Sequence, residues 1–184
     1  MLKPHYPITT DRLLLRPFTP GDLDALHSYE SRPDVARYLH WEARDLDAVR
    51  TFLDKKITRT ALLDEGDALD LAITRLDTGD VIGNCVLIWT SQQLRQGEIG
   101  YILHPDHHGH GYAPEAAREL LRLGFEDLGL HRMVGRLDGR NTASARVLEK
   151  LGMRREAHLV DNEIVKGEWA SEMIYAMLET EWTP

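Results

Sequence analysis

The chain has little cysteine and no long apolar run. Cys85 is its only cysteine among 184 residues, so a disulfide within the chain is excluded and Cys85 is interpreted as a small apolar strand residue. No apolar run approaches the roughly 18–20 residues that span a bilayer, and Met1–Tyr6 lacks the apolar core of a signal peptide. We therefore expect a cytoplasmic protein that does not associate with membranes.

Basic residues are outnumbered by acidic ones, 22 against 30, which gives a formal net charge of −8. Binding to nucleic acid backbones requires a basic face, so nucleic acid is disfavoured as a partner. An acidic surface is compatible with cationic substrates such as amines, and equally with solubility alone. The length and the hydrophobic fraction of 42% predict one compact domain over residues 1–184.

Apolar periodicity divides the chain into helices and strands. Strands are predicted at 8–16, 68–74, 81–89, 98–103, 132–137, 153–160 and 171–177. Helices are predicted at 19–29, 33–39, 42–62, 112–127 and 141–151. Because a meander of strands is followed by alternating strands and helices, we expect an α/β (α+β) fold with a mixed sheet.

A glycine turn links the strand at 98–103 to the helix that begins at Tyr112. Gly109 and Gly111 lie in this turn. Glycines allow successive main-chain N–H groups to face one anion, and the helix dipole adds about half a positive charge there. The turn lacks the third glycine of a dinucleotide fingerprint and the Gly-Lys-Ser/Thr end of a phosphate loop. The pattern therefore predicts a diphosphate site of another kind, or else a tight loop without a ligand.

Four histidines crowd into the same segment: His104, His107, His108 and His110. A metal site is one interpretation, since imidazole suits zinc, copper and nickel. However, neighbouring residues in a strand and turn point in different directions, and no cysteine lies nearby. We expect no metal site. Instead we expect the four histidines to be exposed turn residues, of which one or two contact phosphate or adenine.

The segment from His108 to Ala113 resembles the acetyl-coenzyme A signature of the GNAT superfamily of N-acetyltransferases. In that signature a glutamine or arginine is followed, three and five positions later, by glycine and by glycine or alanine. Gly111 and Ala113 fit, and His108 replaces the glutamine or arginine. Segments 10–17, 98–105, 141–144, 149–153, 167–169 and 175–177 are similar to the ribosomal-protein-alanine N-acetyltransferase-like branch. Ser171 departs from it, because an aspartate is common there.

The resemblance implies a GNAT-like, mostly antiparallel sheet of six to seven strands, splayed in the middle and flanked by four to five helices. Acetyl-coenzyme A would place its pantetheine in the gap and its diphosphate on the turn. The cofactor-binding residues would be Tyr101 and Leu103 through their backbone, His108, Gly109, His110, Gly111, Tyr112, Ala113, Asn141 and Ser144.

The resemblance also implies acetyl transfer to a primary amine by direct attack in a ternary complex. Glu98 is the candidate base, although a solvated or ion-paired strand residue is the alternative. Ser144 is the candidate acid for the leaving thiolate, because this helix lacks the tyrosine that many relatives use. Asn141 and Ser144 would also suit an ordinary helix start without a ligand. A main-chain N–H near Leu103 would stabilise the oxyanion.

On the acceptor side we expect Glu30, Asp161 and Glu163 to attract a cationic amine, and Trp41 to wall the groove. The sequence leaves the acceptor open between a protein or peptide N-terminus, a polyamine, an aminoglycoside and a small amine. The resemblance to this branch favours a peptide α-amine. Two other interpretations are a non-catalytic coenzyme A-binding regulatory module on the same fold and a metal-dependent protein. The sequence leaves the oligomeric state open; a homodimer is one alternative that the resemblance offers, because relatives often pair through sheet edges.

Overall fold

The computed structural model describes residues 1–184. The strands are β1 (Ile8–Thr9), β2 (Leu13–Arg16), β3 (Ala68–Arg75), β4 (Val81–Ser91), β5 (Gln96–Leu103), β6 (Arg132–Asp138), β7 (Arg154–Val165) and β8 (Glu168–Leu178). The α-helices are α1 (Leu23–Glu30), α2 (Pro33–Ala36), α3 (Leu46–Thr58), α4 (Tyr112–Arg122) and α5 (Thr142–Lys150). No helix is long and apolar enough to cross a membrane.

All eight strands form one sheet in the order β1-β2-β3-β4-β5-β6-β8-β7. Every neighbouring pair is antiparallel except β5 and β6, which are parallel. The predicted mixed, mostly antiparallel sheet is confirmed, and its strand count is higher than expected. The reason is local: the segment predicted as one strand at 8–16 turns back on itself, so that Ile8 pairs with Leu15.

Helices cover both faces of the sheet, and two apolar clusters mark the two faces. The larger cluster joins Ile99 and Leu103 of β5 to α4 and α5. The smaller one lies under α1 and α3, and Ile102 packs against it. Because successive strand side chains point to opposite faces, β5 presents Glu98 and Ile102 towards α3 and presents Tyr101 towards α5.

Strands β5 and β6 part after a short paired segment. Their register runs only from Gln96 opposite Arg132 to Glu98 opposite Val134. Beyond this point β5 continues to Leu103 along β4, while β6 continues along β8. The sheet therefore contains the central gap that the resemblance implied.

A 3-10 turn at Pro20–Asp22 and a π-helical turn at Leu123–Asp127 extend α1 and α4 close to their predicted bounds. Helices α2 and α3 are shorter than the periodicity predicts, and capping explains the late start of α3. Helix α3 begins at Leu46 because the Asp45 carboxylate accepts a hydrogen bond from the Ala48 N–H, 2.9 Å away. The preceding Arg44 lies outside the helix, and its guanidinium turns inward to Glu30. Helix α2 ends at Ala36.

Candidate active site

The glycine turn leaves a row of main-chain donors without partners. Gly109 and Gly111 have φ angles of 81° and 82°, in the left-handed region that glycine adopts without strain. None of the main-chain N–H groups from Gly109 to Ala113 donates a hydrogen bond within the protein. Helix α4 begins directly at Tyr112. The turn therefore presents unengaged donors at a helix N-terminus, which is suited to an anion.

Arg12, in the loop between β1 and β2, supports this turn from the outside. Its guanidinium donates to the His110 carbonyl at 2.8 Å and to the Glu115 carboxylate at 2.7 Å. Glu115 also accepts hydrogen bonds from the Arg12 main chain and the Thr10 hydroxyl. Neither Arg12 nor Glu115 was predicted, because more than 100 positions separate them in the chain.

Two cavities meet at the gap between β5 and β6. The turn cavity, about 570 Å³, is lined by the glycine turn and the start of α5. The charged cavity, about 460 Å³, lies on the α3 side of the sheet. Both are lined by Tyr38, Leu39, Tyr101, Ile102, Asn141 and Ser144. A molecule held at the turn can therefore reach a second molecule through the sheet.

Two hydroxyl groups lie at this junction. The Tyr101 hydroxyl is 3.0 Å from Ser144 Oγ and 3.1 Å from the Ser144 carbonyl oxygen. Burial raises the pKa of Tyr101 to about 12, against the ordinary value of 10.0. Asn141 caps α5, since its side chain accepts from the Ser144 N–H. The tyrosine hydroxyl is the feature that sequence reasoning missed, although alternation along β5 places Tyr101 on the α5 face.

Glu98 lines the charged cavity where the strands part. Its carboxylate lies 3.4 Å from Arg136 Nε, and Arg136 also contacts Glu172 at 3.3 Å. Burial is the largest influence and raises the pKa of Glu98 above its ordinary value, Arg136 opposes that rise, and Glu172 adds to it. A carboxylate in this setting holds a proton more readily than an exposed glutamate does.

The predicted acceptor residues divide into two groups. Trp41 and Glu163 line the charged cavity, and the Glu163 carboxylate lies 2.9 Å from His40 Nε2. Glu30 and Asp161 line neither cavity. Glu30 is only 1% exposed because its side chain turns into the protein towards Arg44. Asp161 is exposed in an irregular part of β7, where φ is 45°.

The four histidines do not converge on one point. His108 Nε2 lies 3.1 Å from the carbonyl oxygen of Leu103, a residue whose backbone was predicted to pair with pantetheine. The rings of His104 and His107 meet edge to face with centroids 6.0 Å apart, and His110 packs beside Tyr112, with ring centroids 5.8 Å apart. No group of three or more His, Cys, Asp or Glu side chains is arranged to hold a metal ion.

Comparison with known proteins agrees with this geometry. Residues 12–154 match the family described as Acetyltransferase (GNAT) domain. The chain is 33% identical to the uncharacterized N-acetyltransferase YnaD of Bacillus subtilis over 95% of this chain and 98% of that protein. A GNAT-family acetyltransferase from Bacillus anthracis superposes with a TM-score of 0.85 at 31% identity, covering 98% of this chain and 100% of the other.

A spermidine N(1)-acetyltransferase from Vibrio cholerae is 24% identical over 86% of this chain and 88% of its own length. A crystal structure of spermidine N-acetyltransferase from that organism, in complex with CoA and spermine, has a TM-score of 0.78 at 22% identity. It covers 94% of this chain and 98% of the other chain. At 22% identity, this similarity shows that the two chains share a fold.

The fold and the family match together define an acyltransferase. The chain belongs to the GNAT family of acetyltransferases. The prediction of an acetyltransferase enzyme is thereby confirmed, and a non-catalytic module is not favoured. The assignment to the ribosomal-protein-alanine N-acetyltransferase-like branch stays a prediction.

Proposed function

We propose that residues 1–184 act as one N-acetyltransferase domain that moves an acetyl group from acetyl-coenzyme A to the primary amine of a small molecule. The observation that carries this proposal is the row of unengaged N–H groups from Gly109 to Ala113, beside a gap that opens into a second cavity. Both substrates would be present together, so that much of the rate comes from holding them in line.

In this proposal the glycine turn binds the diphosphate of the coenzyme. Each charge-assisted hydrogen bond from a main-chain N–H contributes about 1.5–3 kcal/mol. Arg146 and Lys150 line the same cavity and add cations that suit phosphate groups. Asn141 and the backbone around Tyr101 lie where the pantetheine arm would pass through the sheet. Because His108 already contacts the Leu103 carbonyl, Leu103 would offer its N–H side rather than that oxygen.

Glu98 would act as the base, since an amine arrives protonated and must lose a proton before it attacks. The enclosed carboxylate accepts that proton directly or through one water molecule. The free amine then attacks the thioester carbonyl, and a main-chain N–H near Leu103 meets the developing oxyanion. The raised pKa of Glu98 brings it closer to neutral pH, where proton transfer is effective.

The hydroxyl pair of Tyr101 and Ser144 would supply the proton that the leaving thiolate takes. The two oxygens are within hydrogen-bond distance at the junction of the cavities. A tyrosine hydroxyl with a pKa of about 12 is protonated at neutral pH and is more acidic than an aliphatic hydroxyl. Ser144 would therefore work together with Tyr101 rather than alone.

The acceptor would be a small molecule that enters the charged cavity. A volume of about 460 Å³ lies within the range of small-molecule sites. The similarity to spermidine N(1)-acetyltransferases supports a small amine. Trp41 and Glu163 would contact it, whereas Glu30 and Asp161 line neither cavity.

A pair of glycine substitutions tests the proposed diphosphate site. Gly109 and Gly79 have φ angles of 81° and 78°, and a Cβ at either position meets no atom within 4 Å. Gly109→Ala and Gly79→Ala should therefore cost similar stability, about 1 kcal/mol. We expect only Gly109→Ala to weaken acetyl-coenzyme A binding, by about tenfold, in isothermal titration calorimetry. Equal affinities in the two variants would contradict the proposed site.

The activity itself is tested by free-thiol release from acetyl-coenzyme A in the presence of a panel of primary amines. We expect release with at least one class of small amine, and none without an acceptor. Tight coenzyme binding without release across the whole panel would contradict the proposed transfer reaction.

A further inference from the structure

The strand register fixes the relative positions of the residues that form the floor of the charged cavity. Asp70 of β3 lies opposite Val86, which lies opposite Gly100 of β5. In the next row, Ile88 lies opposite Glu98. With strands about 4.8 Å apart and about 3.4 Å per residue, the Cα atoms of Asp70 and Glu98 are separated by about 12 Å. Apolar or small residues lie between these two charged ends.

The β3 end of this floor carries an excess of positive charge. Lys56 forms a buried ion pair with Asp70, and their side chains are 3% and 2% exposed. Arg59 Nη1 lies 3.2 Å from the other oxygen of the same carboxylate. All three residues line the cavity. Two cations therefore share one carboxylate, and the Arg59 side chain stays 46% exposed with donors to spare.

The opposite end carries the reverse arrangement. Glu98 and Glu172 share the single cation of Arg136. Of the other lining acids, Asp138 pairs with the cation Arg140, and Glu163 lies 2.9 Å from His40 Nε2, which is a cation only when protonated. The cavity is thus positive by one charge near β3 and negative by one charge at the gap between β5 and β6, and Glu163 adds a further negative charge whenever His40 is neutral. A ligand with an ammonium group at one end and an anionic group at the other complements both ends.

We propose that the acceptor is a zwitterion, a primary amine that carries a carboxylate several bonds away and binds that carboxylate at Arg59 and Lys56. This inference rests on the proposed function. The ammonium would lie beside Glu98, and the planar Arg59 guanidinium would hold the carboxylate. Trp41 also lines this cavity. A polyamine would instead place a second cation against Arg59 and Lys56.

The test compares acceptors of one length that differ only at the far end: ε-aminohexanoate, its amide and hexane diamine. We expect kcat/KM for the acid to exceed that for the amide by about tenfold or more, and to exceed that for the diamine further. The advantage should lie mainly in KM, and it should shrink for glycine, in which amine and carboxylate cannot reach both ends. Equal values for acid and amide, or a preference for the diamine, would overturn the proposal.

Arg59→Gln assigns the effect to its residue. We expect the acid-to-amide ratio of kcat/KM to fall towards one in this variant. Arg50→Gln is the matched control, since Arg50 lies in α3, which ends directly before Arg59, pairs with Asp47 and lines neither cavity; it should keep the wild-type ratio. An unchanged ratio in Arg59→Gln would remove Arg59 from the site. If thiol is released with the amide and the diamine but the acid is not preferred, only the proposal of a zwitterionic acceptor is refuted. If no amine causes thiol release, the proposed transferase activity is refuted as well.

Discussion

Glu98 sits where β5 parts from β6, and its environment makes its charged form costly. Burial raises its pKa most, Arg136 opposes the rise and Glu172 adds to it. A base acts only when deprotonated, so activity should fall as the pH drops through this raised pKa. We therefore expect the acidic limb of the kcat/KM profile to lie above the ordinary glutamate pKa of 4.5.

Glu98→Gln tests this assignment. We expect it to remove the acidic limb and to lower kcat by about 100-fold or more, because a side-chain amide cannot accept the proton. Initial rates measured across the pH range check both points. Glu126→Gln, at a carboxylate that accepts from Trp182, should keep the wild-type profile. An unshifted limb in Glu98→Gln would assign the titration to another group.

The same substitution should not destabilise the fold. A carboxylate whose folded pKa is raised stabilises the fold below its unfolded pKa and loses that contribution as the pH rises through the folded value. At neutral pH the charged Glu98 side chain therefore opposes folding. We expect Glu98→Gln to melt at the same or a higher temperature than the wild type at pH 7, measured by circular dichroism. A marked drop in Tm would mean that the lost activity reflects lost structure.

Tyr101→Phe and Ser144→Ala separate the two hydroxyl groups. We expect both to lower kcat with little change in coenzyme affinity, and Tyr101→Phe to have the larger effect because the tyrosine hydroxyl is the stronger acid. Steady-state kinetics and calorimetry measure the two quantities. Tyr175→Phe is the control, since its hydroxyl contacts Glu149 outside both cavities. Wild-type turnover in both test variants would remove the pair from the mechanism.

At the level of elements, the loop between β1 and β2 holds the glycine turn against α4. Arg12→Ala removes the donor to the His110 carbonyl and the ion pair with Glu115. We expect acetyl-coenzyme A affinity to fall by about tenfold, the effect of losing a charge-assisted hydrogen bond. Calorimetry with Arg50→Ala as control, an arginine that pairs with Asp47 on α3 and lines neither cavity, checks this. Equal affinities would show that the turn holds its shape without Arg12.

Most elements were predictable because their signals are local. The glycine turn, the start of α4 and the cap of α5 at Asn141 each depend on a few consecutive residues. The break between β1 and β2 was not predictable in this way, because the pairing of Ile8 with Leu15 interrupts a run whose apolar pattern favours a single strand. The late start of α3 was missed although its signal is local, since the Asp45 side chain caps the helix at the Ala48 N–H.

For the whole molecule, the open edge of the sheet at β7 bears on assembly. Val160 and Ile164 on this edge are 70% and 63% exposed, and an apolar edge strand is a surface for pairing. We expect a homodimer through this edge, and a shift towards monomer in the double variant Val160→Lys, Ile164→Lys, measured by sedimentation. Leu94→Lys, which changes an exposed apolar residue away from β7, should leave the assembly unchanged. A wild-type monomer at high concentration would contradict the expectation.

The sequence by itself determined the order of the elements and the glycine turn, because capping, glycine conformation and apolar periodicity act between neighbours in the chain. Only the tertiary structure decided which side chains share the site. In the folded chain Tyr101 contacts Ser144, Arg59 contacts Asp70, and the Glu30 side chain is buried. These outcomes depend on strand register and on packing between distant segments, which no local pattern encodes.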